Sequence, residues 1–329
     1  MRGQMPSMPN AYELADDEPL RHARHARHAR APFDFPDGFR GRVRHDEPME
    51  GHTSYRIGGP ARWFVSVESL DALSRALREC DRAEIPWTVV GQGSNLLVAD
   101  EGYDGAVIVL SGEFKQWSFD EDSTSFTVGA AISLARIVQE AYRLGVSGLE
   151  FAVGIPGSVG GAVRMNAGSR TEWMNTRILW LTTFSLANGL KRYRVDDLEW
   201  GYRHSNLPAD EVVLECCIAG TRGQERRIRK AMEEALRRRK DTQPLGIPSC
   251  GSVFRNPPGE SAGALIEKCG LSGARVGGAQ ISPLHANFIV NTGGAHSSDV
   301  AALMKMARDE VMSAYGIELQ PEVRFLGLS

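Results

Sequence analysis

Trp87-Thr88-Val89-Val90-Gly91-Gln92-Gly93-Ser94-Asn95-Leu96-Leu97, WTVVGQGSNLL, runs an apolar stretch of strand length straight into two glycines. That order bares backbone N–H groups at the end of a strand, where a phosphate can sit. A doubly wound dinucleotide fold would carry a third glycine three residues after Gly93, and Leu96 stands there instead. No G-x-x-x-x-G-K-[ST] follows either, so the stretch is a phosphate-binding loop or an ordinary turn in some other arrangement of helices and strands.

On its N-terminal side, ARWFVSV (61–67) reads as a strand, and Leu70, Leu73, Leu77 and Cys80 then recur at helical spacing behind Ser69, a fitting N-cap. On its C-terminal side, AVIVL, KQWSF and SFTVGA are short strand candidates, followed by a helix from Ser133 to about Leu144 closed by Gly145. The run GLEFAVGIPGSVGGAVRMNAGS, Gly148 to Ser169, is a second glycine-dense segment. It reads as a loop between strands, and it would also let a flat ligand lie close to the backbone. Two such segments favour a dinucleotide site without saying which dinucleotide. Strands at LWLTTFSLA and VVLECCIAG precede a charged helix from about Gln224 to Lys240. Then come a short helix at AGALIEKCG, strands near AQIS and NFIVN, and a helix from Ser298 to Tyr315 stopped by Gly316. The pattern predicts two α+β bodies, the second starting near residue 223.

A chain of 329 residues has room for roughly two domains. Its 42% hydrophobic and 24% charged residues are those of a soluble globular protein, and a net charge of -3 speaks against a general nucleic-acid or membrane-surface role. No apolar run approaches the ~20 residues of a membrane span, and the first residues lack the order of a secretion signal, so a cytoplasmic location is expected. Cys80, Cys216, Cys217, Cys250 and Cys269 are odd in number and form no C-x-x-C, which suggests neither disulfides nor zinc; no metal is expected. Residues 1–40, with RHARHARHAR at Arg21–Arg30, read as a disordered tail. The basic clusters at Arg222–Lys230 and Arg237–Lys240 read as a solvated helix face, the second matching the helix dipole.

PSCGSVFRNPPG, Pro248 to Gly259, sets Cys250 and Ser252 among turn formers. Either could be a nucleophile, yet no G-x-S-x-G elbow surrounds them and His45, His52, His204, His285 and His296 are scattered. On local pattern alone, Ser252 is a turn residue.

Taken in order, HTSYRIGGPARWFV, GQGSNLL, GLEFAVGIPGSVGGAVRMNAG, GYRHS, PSCGSVFRNPPG with AGALIEKCGL, HANFIVN and GIELQPEVRFLG resemble the UDP-N-acetylenolpyruvoylglucosamine reductase family. These are flavoenzymes that complete UDP-N-acetylmuramate for bacterial cell-wall synthesis. The resemblance runs from about residue 40 to the C-terminus. It implies an α+β fold: a two-subdomain FAD-binding region of the vanillyl-alcohol-oxidase type over 41–222, rejoined by a strand at 320–329, and a separate substrate-binding domain over 223–319. The short connection from Gly201 to Val212 resembles the subclass without an extra tyrosine loop.

The same resemblance implies FAD as cofactor, NADPH as co-substrate and a monomer without nucleic-acid or membrane partners. It assigns Arg203, Ser252 and Glu322 to catalysis, with Ser252 giving a proton. It assigns flavin contacts to Gly58, Gly59, Gly91, Gly93, Ser94, Asn95, Gly154, Ile155, Pro156, Gly157, Ser158 and Gly161. Gln92, Arg164 and the run SRTEW (169–173) depart from the family's usual residues in this pocket. A related flavoprotein oxidase of a small alcohol or sugar, or a non-catalytic nucleotide or nucleic-acid binder, are the competing readings.

Overall fold

A computed structural model of the chain describes residues 32–35, 38–169 and 172–328. The histidine repeat of the expected tail lies outside them, as do Arg170 and Thr171 of the SRTEW run.

Two sheets build the first body. Four strands lie in the order 41–48, 60–67, 103–110 and 87–89, the first pair antiparallel and the others parallel. From Trp63 to Val67 side chains alternate: Trp63, Val65 and Val67 enter the main core and Phe64 a smaller one with Val98, Val107 and Leu326, which Ala61 also joins because the register shifts between it and Trp63. Helix α1 (Leu70–Arg82) starts where Ser69 Oγ accepts from the Ala72 N–H at 3.2 Å, as its sequence predicts, and buries Leu73, Ala76, Leu77 and Cys80 in the main core. The second sheet is antiparallel throughout, in the order 189–194, 178–185, 212–219, 125–129 and 117–120. Helix α2 (Leu134–Arg143) packs in the same main core through Leu134, Ile137, Val138 and Ala141.

Two expectations change here. The Gly148–Ser169 run contains a helix, α3 (Val159–Arg164), whose first turn is fixed by Ser158 Oγ accepting from the Gly161 N–H at 3.3 Å. Two glycines hide it from propensity, and its packing against strand 212–219 overrides them. The expected tail to residue 40 is also too long. Phe33 is buried against Trp63, and Phe35 stacks on Phe39 with ring centroids 4.0 Å apart, because three phenylalanines in APFDFPDGF carry enough apolar area to dock.

Helix α4 (Glu225–Thr242) follows and lends Ile228 and Met232 to the main core. Beyond it a second large core gathers helix α5 (Ala262–Lys268), an antiparallel meander of strands 275–276, 279–281 and 289–291, and helix α6 (Ser297–Tyr315). Val300, Leu303, Met304, Ala307 and Val311 form the buried stripe of α6, and Gly316 ends it in a left-handed conformation. This core also takes in Tyr55, Ile57 and Leu97 from the N-terminal part of the chain. Finally, strand 324–326 returns to pair in parallel with 96–98, directly after the glycine-rich loop. Among the described residues no helix is long and apolar enough to cross a membrane.

Candidate active site

A cleft of about 3010 Å³ separates the two glycine-rich loops from the Pro248–Ser252 segment. It is several times the usual size of a small-molecule pocket, large enough for a dinucleotide and a second ligand together. Its lining includes Gly91, Gly93, Ser94, Asn95, Gly154, Ile155, Pro156, Gly157, Ser158 and Gly161. Gly58 and Gly59 lie outside the lining. Gly59 instead accepts from the Met49 N–H and donates to Ala99 O, fastening the chain beneath the cleft.

The loops fit a cofactor that lies against backbone. Gly93 sits at φ +60, and a Cβ there would fall on His52 O; a Cβ on Gly91 would meet Ser158 Oγ. Ser94 Oγ approaches Pro156 O to 3.5 Å, so the two loops face each other. Among the described residues, no N–H from Gly91 to Asn95 donates to a protein acceptor, which leaves a row of donors at the cleft. Two assigned side chains work elsewhere: Ser158 caps α3, and Asn95 Nδ2 donates to Glu322 O at 3.0 Å.

Arg203, Glu322 and Ser252 come together from three remote parts of the chain, and all line the cleft. Arg203 turns a two-stranded hairpin (200–201 with 204–205) at φ +55, an unusual conformation for a residue with a long side chain. Its Nε donates to Glu322 Oε1 at 2.7 Å and its Nη1 to Gly168 O at 3.4 Å. Tyr202 lies 5.2 Å beneath the guanidinium. The hairpin is held from behind, Asn166 Nδ2 donating to Gly201 O and Ser205 Oγ to Arg164 O. Glu322 in turn donates its N–H to Val253 O at 2.8 Å, which sets its backbone one residue from Ser252. Ser252 bridges Phe288, and Val253 N–H donates to Asn287 O at 2.9 Å.

The neighbouring thiol is out of contention. Burial pushes Cys250 up to about 12, so it stays a thiol at neutral pH and is a poor nucleophile. Arg164, the charge that departs from the family's usual residue, is spent on structure. Its guanidinium donates to Leu207 O, Pro208 O and Glu211 O at 2.7–2.9 Å and so braces the segment after the Arg203 hairpin.

One correction concerns the basic helix. Arg239 is turned into the cleft, where desolvation first and the nearby Arg203 second lower its pKa. The readable signal was its place on the inward stripe of α4: Ile228, Met232, Leu236 and Arg239 follow at spacings of four, four and three. A second guanidinium thus stands near that of Arg203, whose own partner is the Glu322 carboxylate.

Comparison with known proteins agrees with this geometry. Residues 61–190 match the family model described as an FAD binding domain, and residues 243–326 match the UDP-N-acetylenolpyruvoylglucosamine reductase, C-terminal domain. The reductase of Heliobacterium modesticaldum is 44% identical over 291 residues, covering 88% of this chain and 92% of the relative. A second, from Symbiobacterium thermophilum, is 41% identical and covers 87% and 93%. The crystal structure of the reductase from Thermus caldophilus superposes with a TM-score of 0.75 at 38% identity, over 87% of this chain and 99% of that one. The α+β fold class therefore stands, FAD is the cofactor the loops are built for, and the chain is an oxidoreductase that belongs to the UDP-N-acetylenolpyruvoylglucosamine reductase family.

Proposed function

We propose that this protein reduces UDP-N-acetylglucosamine enolpyruvate to UDP-N-acetylmuramate with NADPH, in the cytoplasm, using Arg203, Glu322 and Ser252 around the reacting carbons. The observation that carries the reading is the meeting of Arg203 and Glu322, 119 residues apart in the chain, beside the backbone of the Ser252 loop. When bound, FAD would supply the two-electron redox chemistry that links NADPH to the enolpyruvyl methylene carbon. Gly91 to Asn95 and Gly154 to Gly161 would hold it, largely by backbone. Residues 41–222 with 320–329 serve the cofactor and 223–319 the UDP-sugar.

The chain's own groups manage charge and proton. Hydride addition leaves an electron pair on the neighbouring carbon, delocalised into its carboxylate. Arg203 answers that charge: Glu322 takes its Nε–H and Gly168 O one Nη1 proton, which leaves the remaining guanidinium donors for the substrate carboxylate. Glu322 orients this fork rather than acting alone. Arg239 adds a second positive charge, which favours an anionic ligand in the cleft. Ser252 passes its hydroxyl proton to the carbon that holds the electron pair, and solvent restores it. A serine hydroxyl suffices because an enolate-like carbon is a far stronger base than water.

Stopped-flow measurement on Ser252→Ala holoenzyme tests this directly. NADPH should still bleach the flavin at close to the normal rate. Product formation should fall by about 10²- to 10⁴-fold, the usual worth of a placed proton donor. Turnover at the normal rate would remove Ser252 from the role.

A further inference from the structure

We propose that Ser54 is a positioning residue that sets the Ser252 loop in register with the Gly91–Asn95 cofactor loop; the inference rests on the reading of Ser252 as proton donor. Ser54, in HTSYRIGG, lies between two loops of the cleft wall, with its hydroxyl oxygen 2.7 Å from Ser249 O and 3.4 Å from Gly93 O. Its peptide N–H donates to Gly93 O at 3.1 Å, and its Oγ–H donates to Ser249 O at 2.7 Å, half-buried. A single residue therefore holds a carbonyl of the cofactor loop and a carbonyl three residues ahead of Ser252.

The surroundings show why that tie matters. Ser54 stands on a firm base: buried Tyr55 donates its hydroxyl to Ile289 O at 2.9 Å, and Asn291 Nδ2 donates back to Tyr55 O at 3.1 Å. Past Ser252 the chain is firm too, because Val253 is bound on both sides, to Asn287 O and by the Glu322 N–H. Between them lies Gly251, at φ +82 with no atom within 4 Å of where a Cβ would stand. This is a pivot in open space. Pro248 O is held by the Asn291 N–H, and Ser249 O by Ser54; the second bond ties the near side of the pivot to the cofactor loop, while Asn95 Nδ2 to Glu322 O and Glu322 N–H to Val253 O tie the far side. Without it, Ser252 is referred to the cofactor loop from its Val253 side alone, with the Gly251 pivot free on the other, and displacements of an ångström cost proton and hydride transfers heavily.

The experiment uses FAD-loaded Ser54→Ala, Ser54→Thr and Ser252→Ala, with both half-reactions followed anaerobically in H₂O and D₂O and rates expressed per bound flavin. Ser54→Ala should leave bleaching by NADPH within about twofold of normal while slowing recolouring by UDP-N-acetylglucosamine enolpyruvate about 10- to 100-fold. Its solvent deuterium effect on recolouring should rise, since hydride addition reverses until the carbanion is protonated and proton transfer then limits net recolouring. Ser54→Thr keeps the donor hydroxyl and should recover most of the rate. Recolouring at the normal rate in Ser54→Ala, or equal loss in both half-reactions, would overturn the positioning role. Unchanged recolouring in Ser252→Ala would instead sink the proton-donor reading itself, so the two failures are told apart.

Discussion

At the scale of single residues, Arg203 shows how a side chain is bought into place by its backbone. A left-handed turn, a bond to Gly168 O and the Glu322 carboxylate all aim one planar fork. Lysine would keep the charge and lose the fork, so it could serve Glu322 or the substrate but not both. Arg203→Lys should lower kcat by about 10²-fold, near 3 kcal/mol, with flavin content and the NADPH bleaching rate preserved; steady-state turnover per flavin checks this, and a wild-type kcat would remove the bidentate role. Little of this was legible locally. Ser252 sits in a run that any turn could use, and its closeness to Glu322 is visible only where the Glu322 N–H meets Val253 O across 69 residues of chain. Arg239 was misread for a related reason: charge in a basic run suggests solvent, and only its phase along α4 shows it facing inward.

At the scale of elements, caps and periodicity carried the reading well. Ser69 begins α1, Gly145 closes α2 and Gly316 stops α6, each doing what its chemistry dictates. Short elements escaped, because a one-and-a-half-turn helix such as α3 owes its existence to neighbours rather than to its own residues. The cofactor loop offers the sharpest test at this scale. Gly93→Ala asks a Cβ to occupy the place of His52 O at a positive φ, so the loop must move as a unit. The expected outcome is weaker FAD retention, measured as a raised dissociation constant by flavin fluorescence, by about tenfold or more for ~1–3 kcal/mol of strain. Undiminished FAD affinity would show that the loop tolerates the shift and that the backbone is not the cradle.

At the scale of the whole molecule, the two large cores are legible as two α+β bodies, but their fastening is not. It depends on contacts between residues hundreds of positions apart, for which one sequence holds no signal. Asp100 is the clearest fastener: its carboxylate takes the N–H groups of Ser297 and Ser298 and the Ser298 hydroxyl, capping α6 from the other body. Burial alone would raise this carboxyl, and those hydrogen bonds together outweigh it and hold the group below the usual carboxylate range. A lowered folded pKa means the stabilisation is complete above the unfolded value, near 4, and is lost as pH falls through the folded value. Asp100→Ala should therefore lower thermal stability by about 1 kcal/mol at pH 7. The gap to wild type should close below about pH 4. A gap that does not change with pH would mean the charge contributes nothing.

The return of strand 324–326 to 96–98 also has a consequence in time. During synthesis the cofactor loop and most of the cleft wall emerge early, while Glu322 follows Asn95 by 227 residues, with strand 324–326 behind it. A nascent or prematurely terminated chain can thus assemble much of a flavin cradle and still lack the carboxylate that aims Arg203. A chain stopped before residue 322 therefore lacks both the acceptor of the Arg203 Nε–H and the strand that pairs with 96–98.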